Sequence, residues 1–132
     1  MNYSIDWVLL IDDDEIQNFL HKRIIQTYLS ENYIFVATDG DQALKILNQQ
    51  IEKKMPQAKG IIMIDINMPI MNGFQFVENF NRDFMQSLPN VAIFPLSSSN
   101  EIQDVLQMTR LGIENYIVKP LTHEYADHLF GK

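Results

Sequence analysis

The sequence predicts an α/β fold, a parallel sheet of short buried strands with helices on both faces. Three observations carry this reading. Short apolar runs alternate with longer stretches whose apolar residues recur at helical spacing. The runs themselves, such as Trp7 to Ile11 and Ile61 to Ile64, are unbroken rather than alternating, as strands covered on both faces require. Turn and helix-capping residues separate them. The 132 residues, 46% apolar and 20% charged with five glycines and five prolines, describe one folded domain and exclude a disordered or low-complexity chain.

Trp7 to Ile11 forms the first strand, and the acidic residues that follow end it. From Glu15 to Tyr28, Ile16, Phe19, Leu20, Ile24 and Tyr28 recur near the helical period and predict one buried stripe. Tyr33 to Ala37 is the second strand. Thr38-Asp39-Gly40-Asp41 then opens a helix with Ala43, Leu44, Leu47 and Ile51 on its inner face. Lys53 to Lys59 is a basic, proline-containing loop before the third strand, Ile61 to Ile64, which Asp65 closes. Asn72-Gly73 turns the chain into a helix carrying Phe76, Val77 and Phe80. Val91 to Leu96 is the fourth strand, although Pro95 removes a ladder donor that a central strand normally uses. Ser97 to Asn100 starts a helix with Ile102, Val105 and Leu106 inward, Tyr116 to Val118 is the fifth strand, and Thr122 to Leu129 the last helix.

Five strand-helix units with right-handed crossovers give a doubly wound sheet, with the flavodoxin-like order 2-1-3-4-5. In such sheets ligands bind beyond the carboxyl ends of the strands, where the order reverses. Strands one and three are then neighbours, which brings Asp12 and Asp13 beside Asp65, while Ser97 and Lys119 end the fourth and fifth strands. Two like charges about 4 Å apart repel by about 4 kcal/mol at an effective dielectric near 20, so such a group needs a compensating cation or must partly protonate, and a divalent ion is the natural answer. Oxygen-only ligands on loop ends suit Mg²⁺, and Lys119 would offset the remaining charge. Asp14 and Glu15 are read as helix-capping residues. Taken singly, the acidic run, Asp65, the serines and Lys119 also have ordinary readings as caps, turn residues and surface charges. Their conjunction at four strand ends is what points to phosphoryl transfer.

Three segments carry a resemblance to a known family. Val8-Leu9-Leu10-Ile11-Asp12-Asp13-Asp14-Glu15 looks like the acidic-pair strand of the receiver domains of two-component response regulators. The run from Ile61 through Asp65 to Met68-Pro69-Ile70-Met71-Asn72-Gly73 resembles their phosphoacceptor strand and the turn after it. Asn115-Tyr116-Ile117-Val118-Lys119-Pro120 is similar to their closing strand. The resemblance implies that Asp65 accepts a phosphoryl group from a histidine on a sensor kinase or phosphotransfer protein. Asp13, Asp65 and the backbone carbonyl of Asn67 would hold Mg²⁺, with Asp12 acting through bound water. Ser97 would bond a phosphoryl oxygen, and Tyr116 would rotate inward. That rotation would remodel the face of the fourth helix, fifth strand and fifth helix for a downstream protein or a homodimer. Such a chain is a phosphoacceptor rather than an enzyme, limited to self-catalysed transfer and dephosphorylation.

Ser97 stands where threonine is more usual, so its rotamer is less restricted and looser coupling is expected, and Ser98 stands where alanine is often found; Ser97, Ser98 and Ser99 are expected to tune hydrolysis of the acyl phosphate. A haloacid-dehalogenase-like phosphohydrolase would want a carboxylate where Asn67 stands, and a binding module without phosphorylation would not need the full set Asp12, Asp13, Asp65, Ser97 and Lys119. His21, His123 and His128 are expected at the surface, away from the acidic rim, and Met63, Met68 and Met71 in core and turn packing. The net charge of -7 argues against tracking nucleic acid or an anionic membrane. No cysteine, no signal-like start and no run long enough to span a bilayer lead to the expectation of a cytoplasmic protein. Residues 1–132 are read as one domain, with thirteen residues after Lys119 and no output domain among them.

Overall fold

A computed structural model describes residues 4–98 and 102–131. Five parallel strands, β1 (Trp7–Ile11), β2 (Ile34–Ala37), β3 (Gly60–Asp65), β4 (Val91–Ser97) and β5 (Ile117–Val118), form one sheet in the order β2-β1-β3-β4-β5. They alternate with α1 (Glu15–Ile25), α2 (Gly40–Ile46), α3 (Gly73–Asp83), α4 (Ile102–Arg110) and α5 (His123–Phe130). The predicted doubly wound sheet and its strand order are as expected. No helix among the described residues is long and apolar enough to cross a membrane.

Side-chain parity splits the core in two. Trp7, Leu9 and Ile11 of β1 and Ile62 and Ile64 of β3 pack with Ala43 and Leu47 near α2, Phe76, Val77 and Phe80 of α3 and Met108 of α4. Val8, Leu10, Ile61 and Met63 point to the other face, against Ile25 of α1 and Leu121 and Ala126. β1 and β3 are buried along their whole length, which explains their unbroken apolar runs. Capping fixes the helix starts: Asp14 accepts from the N–H groups of Ile16 and Gln17, Asp39 from that of Gln42, and Thr122 from that of Tyr125. Asn72 and Gln75 form a reciprocal capping box at α3. Beyond α2 the chain continues as a π-helical stretch, Leu47–Glu52, so Leu47 and Ile51 stay buried. The loop of residues 53–59 follows as expected.

Pro95 has a physical account. Leu96 turns its carbonyl toward β3, accepting from Ile66 N–H at 3.1 Å, and Ser97 turns its carbonyl toward β5, accepting from Lys119 N–H at 2.7 Å. By alternation Pro95 faces the β5 side, and β5 begins only opposite Leu96. The missing N–H therefore costs no ladder bond.

Two helices differ from the expectation in which face they bury. α1 ends at Ile25 and buries Asn18, His21 and Ile25; Ile24 and Tyr28 of the expected stripe are half-buried against the core, while Ile16, Phe19 and Leu20 stand exposed on the opposite side. The inner face is polar because it meets strand ends whose backbone groups need partners, as described below. In α4, Ile102, Val105 and Leu106 are likewise exposed, and Met108 supplies the buried contact. Smaller shifts occur at Tyr33, which lies in a 3₁₀ turn before β2, and at Tyr116, which precedes β5. Ser99 and Asn100, expected at the start of α4, lie outside the described residues, and the tuning role expected of Ser99 falls there too.

Gly60 lies under the Trp7 ring: a Cβ there would collide with the indole. Gly60→Ala is therefore expected to cost about 2 kcal/mol by overpacking. The emission of Trp7, the single tryptophan, should shift with it, and unfolding in urea followed by that signal measures both. A stability equal to that of the parent would contradict the packing.

Candidate phosphoryl and metal site

Strand parity assembles the site. Asp12 continues the Val8-Leu10 side of β1, Asp65 the Ile61-Met63 side of β3, and Lys119 the Ile117 side of β5. All three thus leave the carboxyl ends of their strands on the same face of the sheet. Lys119 Nζ lies 2.8 Å from Asp12 Oδ2 and 3.4 Å from Asp65 Oδ1. Asp12 is 1% exposed, and its other oxygen accepts from Asp14 N–H at 2.9 Å. Asp65 Oδ1 also accepts from Asn67 N–H, at 3.4 Å. Asp13 is exposed, and one oxygen from each of Asp12, Asp13 and Asp65 lies within 4.8 Å of the others.

Charge balance gives the site its chemistry. Burial pushes the Asp65 carboxyl above its ordinary range, Lys119 pulls it back, and Asp12 adds to the rise. Burial works against the Lys119 ammonium, but its hydrogen bond and attraction to Asp12, and then Asp65, outweigh that and raise it. One ammonium thus pairs with two of the three clustered carboxylates. A cluster of hard oxygen donors, part buried and part open to solvent, fits a small divalent cation such as Mg²⁺ and does not fit a soft metal.

A pH dependence follows for the metal-free protein. Because Asp65 holds its proton more tightly folded than unfolded, its contribution to stability is fully present below the usual aspartate range and is lost as pH rises through the raised value. Asp65→Asn is expected to raise the melting temperature at neutral pH and to change it little under acid conditions, compared by thermal unfolding without divalent cations. A lower melting temperature at neutral pH would contradict this.

Ser97 is buried at the end of β4, and its carbonyl holds the Lys119 N–H, so the two expected site residues are joined through the backbone. Asn67 is exposed beside Asp65, and Tyr116 is half-buried against the core that contains Ile93 and Met108. The structure therefore brings Asp12, Asp13, Asp65 and Lys119 into one group, with Asn67 and Ser97 joined to it through backbone bonds, while Tyr116 packs against the core on the other face of the sheet.

Two further residues support this group. Asn18, 3% exposed, donates from Nδ2 to the carbonyls of Asp12 at 2.8 Å and Ala37 at 3.2 Å, tying together the ends of β1 and β2. His21, expected at the surface away from the rim, is instead 1% exposed, and its Nε2 accepts from Leu121 N–H at 3.3 Å. Burial lowers its imidazole, while Asp12 acts in the opposite sense. His123 and His128 are exposed as expected. The signal for Asn18 and His21 was their spacing with Ile25, one face of a helix, which an apolar pattern passes over.

The model of the response regulator receiver domain matches residues 8–127. A two-component response regulator from Cytophaga hutchinsonii is 34% identical in sequence, covers 97% of this chain with 96% of its own, and superposes with a TM-score of 0.82. One from Legionella pneumophila is 30% identical, covering 96% and 95%, at a TM-score of 0.77. The two-component response regulator ORR1 of Oryza sativa is 28% identical over 92% of this chain and 52% of its own length. The chain spans about half the length of the curated relatives it matches. With the family model running from β1 into α5, and the sheet order and acidic rim as described, this chain belongs to the receiver domains of two-component response regulators.

Proposed function

We propose that Asp65 accepts a phosphoryl group, in an Mg²⁺-dependent reaction, from a phosphohistidine of a sensor histidine kinase or phosphotransfer protein. The observation that supports this best is the meeting of the Asp12, Asp13 and Asp65 carboxylates with Lys119 Nζ at one strand rim. A carboxylate oxygen of Asp65 forms the new P–O bond as the P–N bond breaks, and the imidazole leaves with the bonding electrons. Asp12, Asp13 and Asp65, with the carbonyl of Asn67, would hold Mg²⁺, which when bound neutralises charge on phosphoryl oxygens. Lys119 contributes a fixed positive charge to the same oxygens at no cost in reorganisation.

The Ser97 hydroxyl then donates to a phosphoryl oxygen and draws its loop inward, and Tyr116 follows. The altered surface is the α4-β5-α5 face, where Ile102, Val105, Leu106 and Val118 are exposed and available to a downstream protein or a second copy. The chain acts as a phosphoacceptor that catalyses its own phosphorylation and dephosphorylation, and not as an enzyme on a separate substrate.

The test is intact mass after incubation with a small acyl-phosphate donor, with and without Mg²⁺. The proposal expects one phosphoryl group on the wild type with Mg²⁺ and none on Asp65→Asn. Continuous turnover of phosphate esters would favour a hydrolase, and no gain at all a binding module; either outcome overturns the proposal.

A further inference from the structure

We propose that His21 is a positioning residue for Lys119, an inference that rests on the phosphoacceptor reading above. Lys119 is held by backbone bonds on both sides. Its own N–H is bound by the Ser97 carbonyl of β4 at 2.7 Å, and the N–H of Leu121, two residues on, is bound by His21 Nε2 of α1 at 3.3 Å. Both bonds lie in the interior, since Ser97, His21 and Leu121 are each at most 2% exposed. The segment that carries the lysine is thus clamped between a strand and a helix, and Nζ reaches Asp12 and Asp65 from that clamp.

The chemistry of the clamp fixes the state of the ring. Accepting from an amide requires a lone pair on Nε2, so His21 is neutral with its proton on Nδ1. A neutral ring is also what this neighbourhood tolerates, because a second cation beside Lys119 would compete with it for Asp12. An aliphatic residue at position 21 would fill the space but leave the Leu121 N–H buried without an acceptor, and the segment would shift to satisfy it. The expected consequence is a misplaced Nζ, and a small misplacement of a group that acts on the transferring phosphoryl slows transfer. α1 therefore does more than cover the sheet: through Asn18 it holds the loop that carries Asp12, and through His21 the loop that carries Lys119.

The test compares wild type, His21→Leu and His21→Gln, each alone and in a Lys119→Ala background. It reads phosphoryl gain from a small acyl-phosphate donor at saturating Mg²⁺ and Mg²⁺ affinity by titration with the metal alone. His21→Leu is expected to slow phosphoryl gain about tenfold. His21→Gln, whose side-chain carbonyl restores an acceptor, recovers most of the rate, and Mg²⁺ affinity is unchanged in both. In the Lys119→Ala background His21→Leu has no further effect, since the two act through one group. Equal rates for His21→Leu and wild type, an additive loss in the Lys119→Ala background, or a glutamine variant as slow as the leucine variant would each overturn the proposal. So would nitrogen-15 spectra of the wild type that place the ring proton on Nε2. A wild type that takes up no phosphoryl group would instead bring down the phosphoacceptor reading itself, and the positioning role with it.

Discussion

Replacing Lys119 by alanine is expected to slow phosphoryl acceptance by Asp65 about a hundredfold and to destabilise the metal-free protein by about 3 kcal/mol. The rate falls because the ammonium is the fixed positive charge nearest Asp65 Oδ1, at 3.4 Å, and no other Lys, Arg or His forms an ion pair with Asp12 or Asp65 among the described residues. The stability falls because Asp12, buried and 2.8 Å from Nζ, is left as an interior charge without a counterion. The two effects part under different conditions. Added Mg²⁺ is expected to offset the stability loss by binding the folded state, whereas the rate stays low in saturating Mg²⁺. Urea unfolding with and without Mg²⁺, beside the time course of phosphoryl gain by intact mass, measures both. A variant of wild-type rate would show that Lys119 serves only the fold.

Asn18→Ala is expected to cost about 2 kcal/mol and to weaken Mg²⁺ binding about tenfold. The Nδ2 group bridges the carbonyls of Asp12 and Ala37, and Ala37 keeps a second donor in the Asp12 N–H at 3.2 Å. The carbonyl of Asp12 carries most of the loss. Its release loosens the turn that carries Asp12 and Asp13, so the cost reaches the carboxylates proposed to hold Mg²⁺ although Asn18 is not one of them. Urea unfolding and a Mg²⁺ titration measure the two effects, and unchanged affinity would confine Asn18 to the fold.

The sheet, its order and the rim carboxylates were legible because each rests on local signals. Unbroken apolar runs mark strands covered on both faces, and the switch-point rule then says which strand ends meet. The helix faces of α1 and α4 were not legible by the same logic. An apolar stripe predicts burial only where the helix has nothing polar to satisfy, and α1 lies against the open backbone ends of β1 and β2 and the segment after Lys119. There hydrogen bonding to buried carbonyls and amides decides which face turns inward, and Ile16, Phe19 and Leu20 are left outside. Pro95 was puzzling for a related reason. Its tolerance depends on how far β5 extends, a tertiary fact that a search along β4 alone does not contain.

Asp65 is the residue proposed to carry the phosphoryl group. Reduction with borohydride displaces phosphate from an acyl phosphate and converts that aspartate to homoserine, which peptide mapping locates. After incubation with Mg²⁺ and a phosphohistidine donor, the modification is predicted at position 65 and nowhere else, and absent when Mg²⁺ is removed. Homoserine at position 12 or 13, or none in a sample whose intact mass has risen, would contradict it.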